Sequence, residues 1–252
     1  KASLKFQVAD LVPMPIEEAV LDFVPLDEIV TDSARNLRGL LVAASQDMVL
    51  GAIRACQKAG LKVTTADLTP FAVLRSAGTS DPLGLSGPEA VVDVGARVTN
   101  IVVHEGGVPK FVRILLLGGD DITGAIVERL GMPVGEAERL TRDKATLDSP
   151  ASADARRVID AALSEFVDEV RGSVDYYIAT SGSRPLSRLV LSGGGSLADG
   201  LAQRLATAVR TQVEYGRPFS QLSLGKTGLA PEQVQFVEPL AAVPVGLAMG
   251  AV

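Results

Sequence analysis

Cysteine occurs once in the sequence, at Cys56, so no disulfide can form within the chain. Its neighbours Ala55 and Gln57 continue a helical pattern, so it reads as a small buried hydrophobe, and a reducing cytosolic compartment suits it. Histidine also occurs once, at His104. One histidine and one cysteine cannot build a structural zinc set, and no Ser-His-Asp arrangement has its parts. Beside Glu105 and a turn, His104 is expected at an exposed strand end. Basic charge is in deficit: 24 Lys and Arg face 30 Asp and Glu, for a net charge of −6. That argues against nucleic acid as a partner, since nothing supplies a broad phosphate-binding surface. Long apolar runs are missing too. The longest, residues 240–252, is too short to span a bilayer and is broken by Pro244, Gly246 and Gly250. Residues 1–10 carry no signal-peptide apolar stretch. No direct membrane insertion is expected; a membrane would be met through a partner. Neither G-x-x-x-x-G-K-[ST] nor G-x-G-x-x-G occurs.

What is present is a chain able to bury a core. Hydrophobic residues make up 47% and charged residues 21% of 252, which suits one large domain or two lobes. Residues 3–8 alternate as a strand does, Pro15 opens a short helix through Glu17 and Glu18, and 20–23 return to an extended pattern. Residues 26–38 are polar and charged and read as a loop. A buried strand is expected at 40–44, then a helix over 47–59 with Val49, Ile53 and Cys56 on one face and Gly60 at its C′ position. A strand at 61–68 and a helix at 70–76 follow. The Gly/Pro/Ser-rich stretch 79–88 marks a boundary. Beyond it come strands at 90–94, 99–104 and 108–117, with Gly106-Gly107 as a hairpin turn. Gly118-Gly119 leads into a helix. Three meandering strands and a helix form the opening of a ribonuclease-H-like half. A short helix at 135–141 precedes a long amphipathic one over 150–181, striped by Val158, Phe166, Val170, Val174 and Tyr177. A buried strand at 186–191, a helix at 197–209, a strand at 212–215 and an apolar helix at 239–249 complete the pattern.

Three segments could carry chemistry. In the first, Asp93 ends a strand and Gly95 and Thr99 follow. A strand-end carboxylate can hold a hydrated Mg²⁺, a glycine lets backbone amides approach a phosphate, and a hydroxyl can donate to it; an ordinary hairpin with Asp93 capping its turn fits equally. In the second, a buried strand runs into Ser192-Gly193-Gly194-Gly195-Ser196 and then a helix. Such a loop can lay bare backbone against a base or ribose, or be a plain tight turn. In the third, Asp120 and Asp121 follow Gly118-Gly119 at a helix start. They could face a metal-bound phosphate, but a cap is favoured for Asp120.

The order of these pieces is more specific than any one of them. The chain resembles the actin/Hsp70/sugar-kinase superfamily and, within it, the PilM family of type IV pilus assembly proteins, through "LVPMPIEEAVLDF", "LLVAASQDMV", "AGLKVTTADLTPFAVLR", "LSGGGSLADGLAQRL" and "PLAAVPVGLAMG". The resemblance implies an actin-like, FtsA-like α/β fold with a small inserted α/β subdomain (1C-like) at 1–61, a connection at 62–88 and nucleotide-binding lobes over 89–252. It implies ATP with Mg²⁺ in a central cleft. Asp93, Gly95 and Thr99 match the second phosphate loop, Gly118 and Gly119 the glycines before the interdomain helix, Glu138 the acid of an "AE-x-x-K" segment, and Gly193, Gly194 and Gly195 the adenosine loop. Asp93 would hold Mg²⁺ through water. The partner implied is the cytoplasmic N-terminal tail of the inner-membrane protein PilN, with other inner-membrane assembly proteins of the pilus. A groove near Phe6, Val8, Leu11 and Val42 is expected to take the tail, as an added strand or an extended peptide. The location implied is cytoplasmic, peripheral at the inner face of the membrane. Two departures stand out: the family's first phosphate loop is expected to be absent from the chain, and Thr141 stands where the family has lysine.

Three functions compete at this point. The first is an ATP-gated adaptor, at most a slow ATPase, whose lobe closure grips a partner tail. The second is a sugar-kinase-like phosphotransferase, for which no second catalytic aspartate has a matching context. The third is a scaffold without nucleotide, similar to the cytoplasmic domain of GspL. A cell-division FtsA identity fits less well, because no membrane-targeting amphipathic helix is visible at the C-terminus.

Overall fold

The computed structural model describes residues 8, 11–12, 14–30, 35–78, 87–142 and 153–250. They fall into two compact units that divide between Asp67 and Leu68.

In the small unit a 3₁₀ turn, Ile16–Glu18, follows Pro15 and leads into β1, Ala19–Val30. It pairs antiparallel with β2, Arg35–Ser45, from Ala19 opposite Ser45 to Val30 opposite Arg35. The register shifts between Pro25 and Asp27, where proline has no amide for the ladder. The loop expected over 26–38 is therefore mostly strand. Its charges face one another across the ribbon: Arg38 pairs with Asp27, and Arg35 lies 3.7 Å from Glu28. The strand at 40–44 is half-buried rather than buried; among the described residues this sheet has two strands. Helix α1, Gln46–Lys58, turns Val49, Ile53 and Cys56 inward, all half-buried. It ends in a Schellman motif: Gly60, at φ +78°, donates to Gln57 O and Leu61 to Cys56 O, both at 3.0 Å. Residues 61–68 were expected as a strand but make no ladder among the described residues, and most are exposed. Of the strand expected at 3–8, residues 3–7 lie outside the described residues; Val8 has helical backbone and is buried.

The large unit begins with α2, Thr69–Ala77. Its sheet comprises β3 (Glu89–Val94), β4 (Thr99–Glu105), β5 (Val108–Leu115), β6 (Arg188–Ser192) and β7 (Gln212–Tyr215). The order is β5-β4-β3-β6-β7, antiparallel through the meander and parallel from β3 to β7. Successive side chains of a strand point to opposite faces. Ala90, Val92 and Val94, with Ile101, Val103, Leu189 and Leu191, join one core. Above that face lies α5, Ala153–Ser181, which runs unbroken through Gly172 and buries Val158, Phe166, Val170, Val174 and Tyr177. Val91, Val102 and Val190 face the other way, onto Val73, Leu74 and Ala77 of α2 and Ala242 of α8, Ala242–Met249. Both faces are covered, so the central strands are apolar throughout. Helices α2 and α8 meet backbone to backbone: a side chain on Gly246 would place its Cβ 1.7 Å from the Ala72 carbonyl oxygen.

The remaining helices are α3 (Gly119–Leu130), α4 (Val134–Arg142), α6 (Leu201–Val209) and α7 (Pro231–Val237). The helix expected over 197–209 is interrupted: a 3₁₀ turn, Gly194–Leu197, is followed by a bend at Gly200, φ +80°, before α6 starts. The third meander strand stops at Leu115, two residues early.

His104 is not exposed as expected but 1% accessible. Its cross-strand neighbour is Glu89, whose carboxylate lies 3.7 Å from Nε2 and takes a 3.0 Å ion pair from Arg188. Arg188 also pairs with Glu214 at 3.0 Å. His104 Nδ1 accepts the Gly107 amide at 3.3 Å. Burial pushes the imidazole's pKa down, against an upward pull from Glu89, and Arg188 lowers it further.

Candidate nucleotide site

Between β3 and β4 the chain turns at Gly95, whose amide donates to Val98 O at 3.0 Å. A Cβ there would sit 2.7 Å from that same oxygen. The first turn of α3 docks on this bend: the Gly119 amide donates to Gly95 O at 3.0 Å and the Asp120 amide to Ala96 O at 2.7 Å. Gly118 is wedged beneath, since a Cβ would meet Ala96 O at 2.4 Å. Its amide donates to Asp121 Oδ2 at 2.7 Å. The cap is therefore Asp121, not Asp120, which lies 3.4 Å from Arg97 in an exposed pair. Thr99 is fully buried and donates its hydroxyl proton to Leu117 O at 2.7 Å. In this arrangement these amides and that hydroxyl are spent within the protein.

The triple glycine closes over the end of β3. Gly193 has φ +82°, and a Cβ would lie 2.4 Å from Val94 O and 2.9 Å from Asp93 Oδ1. A Cβ on Gly195 would lie 2.6 Å from Val94 Cγ1, and one on Gly119 would lie 3.3 Å from Gly195 Cα. Only Gly194 has room, with its nearest neighbour, Leu240 Cδ2, at 4.0 Å. The Pro239 carbonyl fixes the loop from behind, accepting the Gly193 amide at 3.0 Å and the Ser192 hydroxyl at 2.9 Å.

Asp93 lies between Asn100 and Ser192, its register partners on the flanking strands. It is 6% exposed. Burial raises its pKa, against hydrogen bonds from Asn100 and Ser192 that lower it. The Asn100 amide is 3.4 Å away, and the one Ser192 hydroxyl proton is shared with Pro239 O at 2.9 Å, so burial outweighs both bonds.

A pocket of about 150 Å³ lies beside the loop. Gly119, Glu138, Gly194 and Gly195 line it, together with Asp120, Thr141 and Arg142. Asp93, Gly95, Thr99, Gly118 and Gly193 do not; they make the contacts within the protein just described. Thr141 turns its hydroxyl to Glu138 O at 2.8 Å, and its own carbonyl accepts the Asp199 amide at 3.0 Å, tying α4 to the loop. Arg142 is the one cation among the described lining residues, and no aromatic side chain is among them. The sequence reading passed over it, although its spacing of four from Glu138 puts both on one helix face. The volume is below the ~300–1,000 Å³ usual for a small-molecule site. Of the residues expected to hold a partner, Phe6 lies outside the described residues, Val8 is buried, Val42 is half-buried and Leu11 is 72% exposed.

A three-stranded meander continued by two parallel strands, helices on both faces and glycine turns meeting at the strand ends define an actin-like α/β protein. The comparisons agree. The chain matches the family model of the type IV pilus assembly protein PilM over residues 1–252. It is similar to a solved PilM-PilN type IV pilus biogenesis complex, with TM-score 0.82 and 29% identity over 99% of this chain and 71% of that one. The ethanolamine utilization protein EutJ from Carboxydothermus hydrogenoformans shares the fold, with TM-score 0.55, 18% identity, and 84% and 80% of the two chains covered. Cell division protein FtsA of Bacillus subtilis is 29% identical over 148 residues, 54% of this chain and 33% of FtsA. FtsA of Escherichia coli K12 is 25% identical over 213 residues, 71% of this chain and 49% of FtsA. The chain thus spans a third to a half of these two relatives. It belongs to the PilM family of type IV pilus assembly proteins.

Proposed function

We propose that the protein is a cytoplasmic, ATP-binding scaffold of the type IV pilus machinery that holds the cytoplasmic tail of PilN with its small unit. The observation that carries the nucleotide reading is the pocket where Gly194 and Gly195, Gly119 and the Glu138–Arg142 face of α4 converge. Bare glycine backbone suits the flat face of a base or ribose, Glu138 suits ribose hydroxyls, and Arg142 brings a planar cation. Mg²⁺ with the nucleotide would be held mainly by phosphates and waters, with one protein carboxylate in reach. Asp93 fits that role, because burial outweighs its hydrogen bonds from Asn100 and Ser192 and leaves the carboxylate short of positive partners. The metal would neutralise phosphate charge. The protein's own residues position the nucleotide and seal the strand ends from water. The likeness to a PilM-PilN complex supports the choice of partner. Among the described residues no helix is long and apolar enough to cross a membrane, so attachment at the inner face would run through PilN.

A scaffold without nucleotide is the second reading. It is favoured by the internal use of the α3 amides and the Thr99 hydroxyl. Calorimetry on the full-length protein separates the two, with Mg·ATP and a synthetic PilN tail peptide titrated singly and together. Saturable Mg·ATP binding that changes the peptide's affinity supports the ATP-gated scaffold. Peptide binding without any nucleotide heat supports the second reading.

A further inference from the structure

A second, larger hollow of about 810 Å³ opens among α3, α4 and α5. Its floor is apolar: Ile122 and Phe166 lie buried beneath, and Leu117, Val127, Ala162 and the exposed Val134 offer the accessible apolar surface. Its lining carries five carboxylates, on Asp120, Asp121, Glu128, Glu138 and Glu165, and no lysine or arginine among the described residues. The chain as a whole has 30 acids to 24 bases, so five to none is a local bias. Asp121 is spent as a cap and Asp120 has Arg97 beside it. Glu128, Glu138 and Glu165 are exposed and make no ion pair among the described residues. Nowhere among the described residues do three acids gather as a metal site requires. Charges spread around an apolar floor call for separate cations on a ligand that is itself apolar between them.

We infer that this hollow docks a basic amphipathic helix of a partner protein, its apolar side on Leu117, Val127, Val134 and Ala162 and its lysines or arginines against Glu128, Glu138 and Glu165. Helix-in-groove docking uses such a surface: apolar anchors give affinity, and rim charges give rate and register. The proposal does not depend on nucleotide, although the two hollows share Asp120, Ile122, Thr123 and Glu138.

The test uses the full-length protein without nucleotide and a fluorescent 18-residue Leu/Lys peptide designed as an amphipathic helix. A peptide of identical composition with scrambled order is the comparison. The hollow is altered in charge by Glu128→Lys with Glu165→Lys, and in shape by Ala162→Phe. Asp168→Lys with Asp175→Lys, on the outer side of α5, changes net charge equally. Anisotropy is expected to show saturable binding of the amphipathic peptide. Both hollow variants should weaken it at least tenfold, and the control pair and the scrambled peptide in its own titration should mark the difference between docking and attraction. The inference is overturned if no binding occurs. It is equally overturned if the scrambled peptide binds as tightly, if the control pair loses as much as the hollow pair, or if Ala162→Phe binds as the parent does.

Discussion

Gly194 is the one glycine of the loop at which a side chain can be added without touching the fold. Its nearest neighbour lies 4.0 Å from the added Cβ, and its φ lies outside the left-handed region. Gly194→Val therefore places three carbons at the wall of a pocket of about 150 Å³. Stability should stay within about 0.5 kcal/mol of the parent, as for other uncrowded sites. A ligand against that wall must shift or overpack, at about 1–3 kcal/mol. That corresponds to roughly 5–150-fold in Kd, since a factor of ten is about 1.4 kcal/mol. Gly193→Ala is the counterpart. Its Cβ would lie 2.4 Å from Val94 O at a φ of +82°, so it should lose about 1–3 kcal/mol of stability. Mg·ATP affinity by calorimetry and stability by urea denaturation read the two effects separately. An unchanged Kd in Gly194→Val, with Mg·ATP still bound, would refute the placement of the nucleotide in this pocket.

Arg142→Ala should weaken Mg·ATP by about 2–30-fold, the range of about 0.5–2 kcal/mol for a guanidinium on a flat ring, and Arg142→Lys should recover only part of it; calorimetry reads both. Phe166→Ala should cost about 3–5 kcal/mol in urea denaturation, because the ring is 1% exposed at the centre of the main core. Asp93 gives a pH dependence of definite sign. Its folded pKa is raised, so between the unfolded and folded values the folded state holds a proton that the unfolded state has lost. Stability from this group is fullest below the ordinary carboxylate range and falls as pH rises through the folded value. Asp93→Asn should thus be more stable than the parent at neutral pH, with the gap closing in acid, as read from urea midpoints against pH.

The elements legible in the sequence were those whose surroundings are uniform. The α5 stripe reads cleanly because one face of the helix meets one core, and β3, β4 and β6 read as apolar runs because helices cover both faces. Gly60, Gly106 and Gly107 could be recognised as turns because they adopt positive φ. What escaped depends on partners distant in sequence. The charges of 26–38 suggested a loop until Arg38 met Asp27 across the ribbon. His104 sat beside Glu105 in sequence, but its burial comes from the register that brings it to Glu89. Which of Asp120 and Asp121 caps α3 turns on one residue of helical rotation, and Thr99 is engaged by a carbonyl 18 positions away.

We place the nucleotide, as a proposal, where the glycine loop meets α3 and α4. Amide chemical-shift mapping on the full-length protein during a Mg·ATP titration tests it most directly. The largest changes are expected at Gly119, Thr141, Arg142, Gly194 and Gly195. Saturable changes clustered elsewhere, with those five amides still, would contradict it.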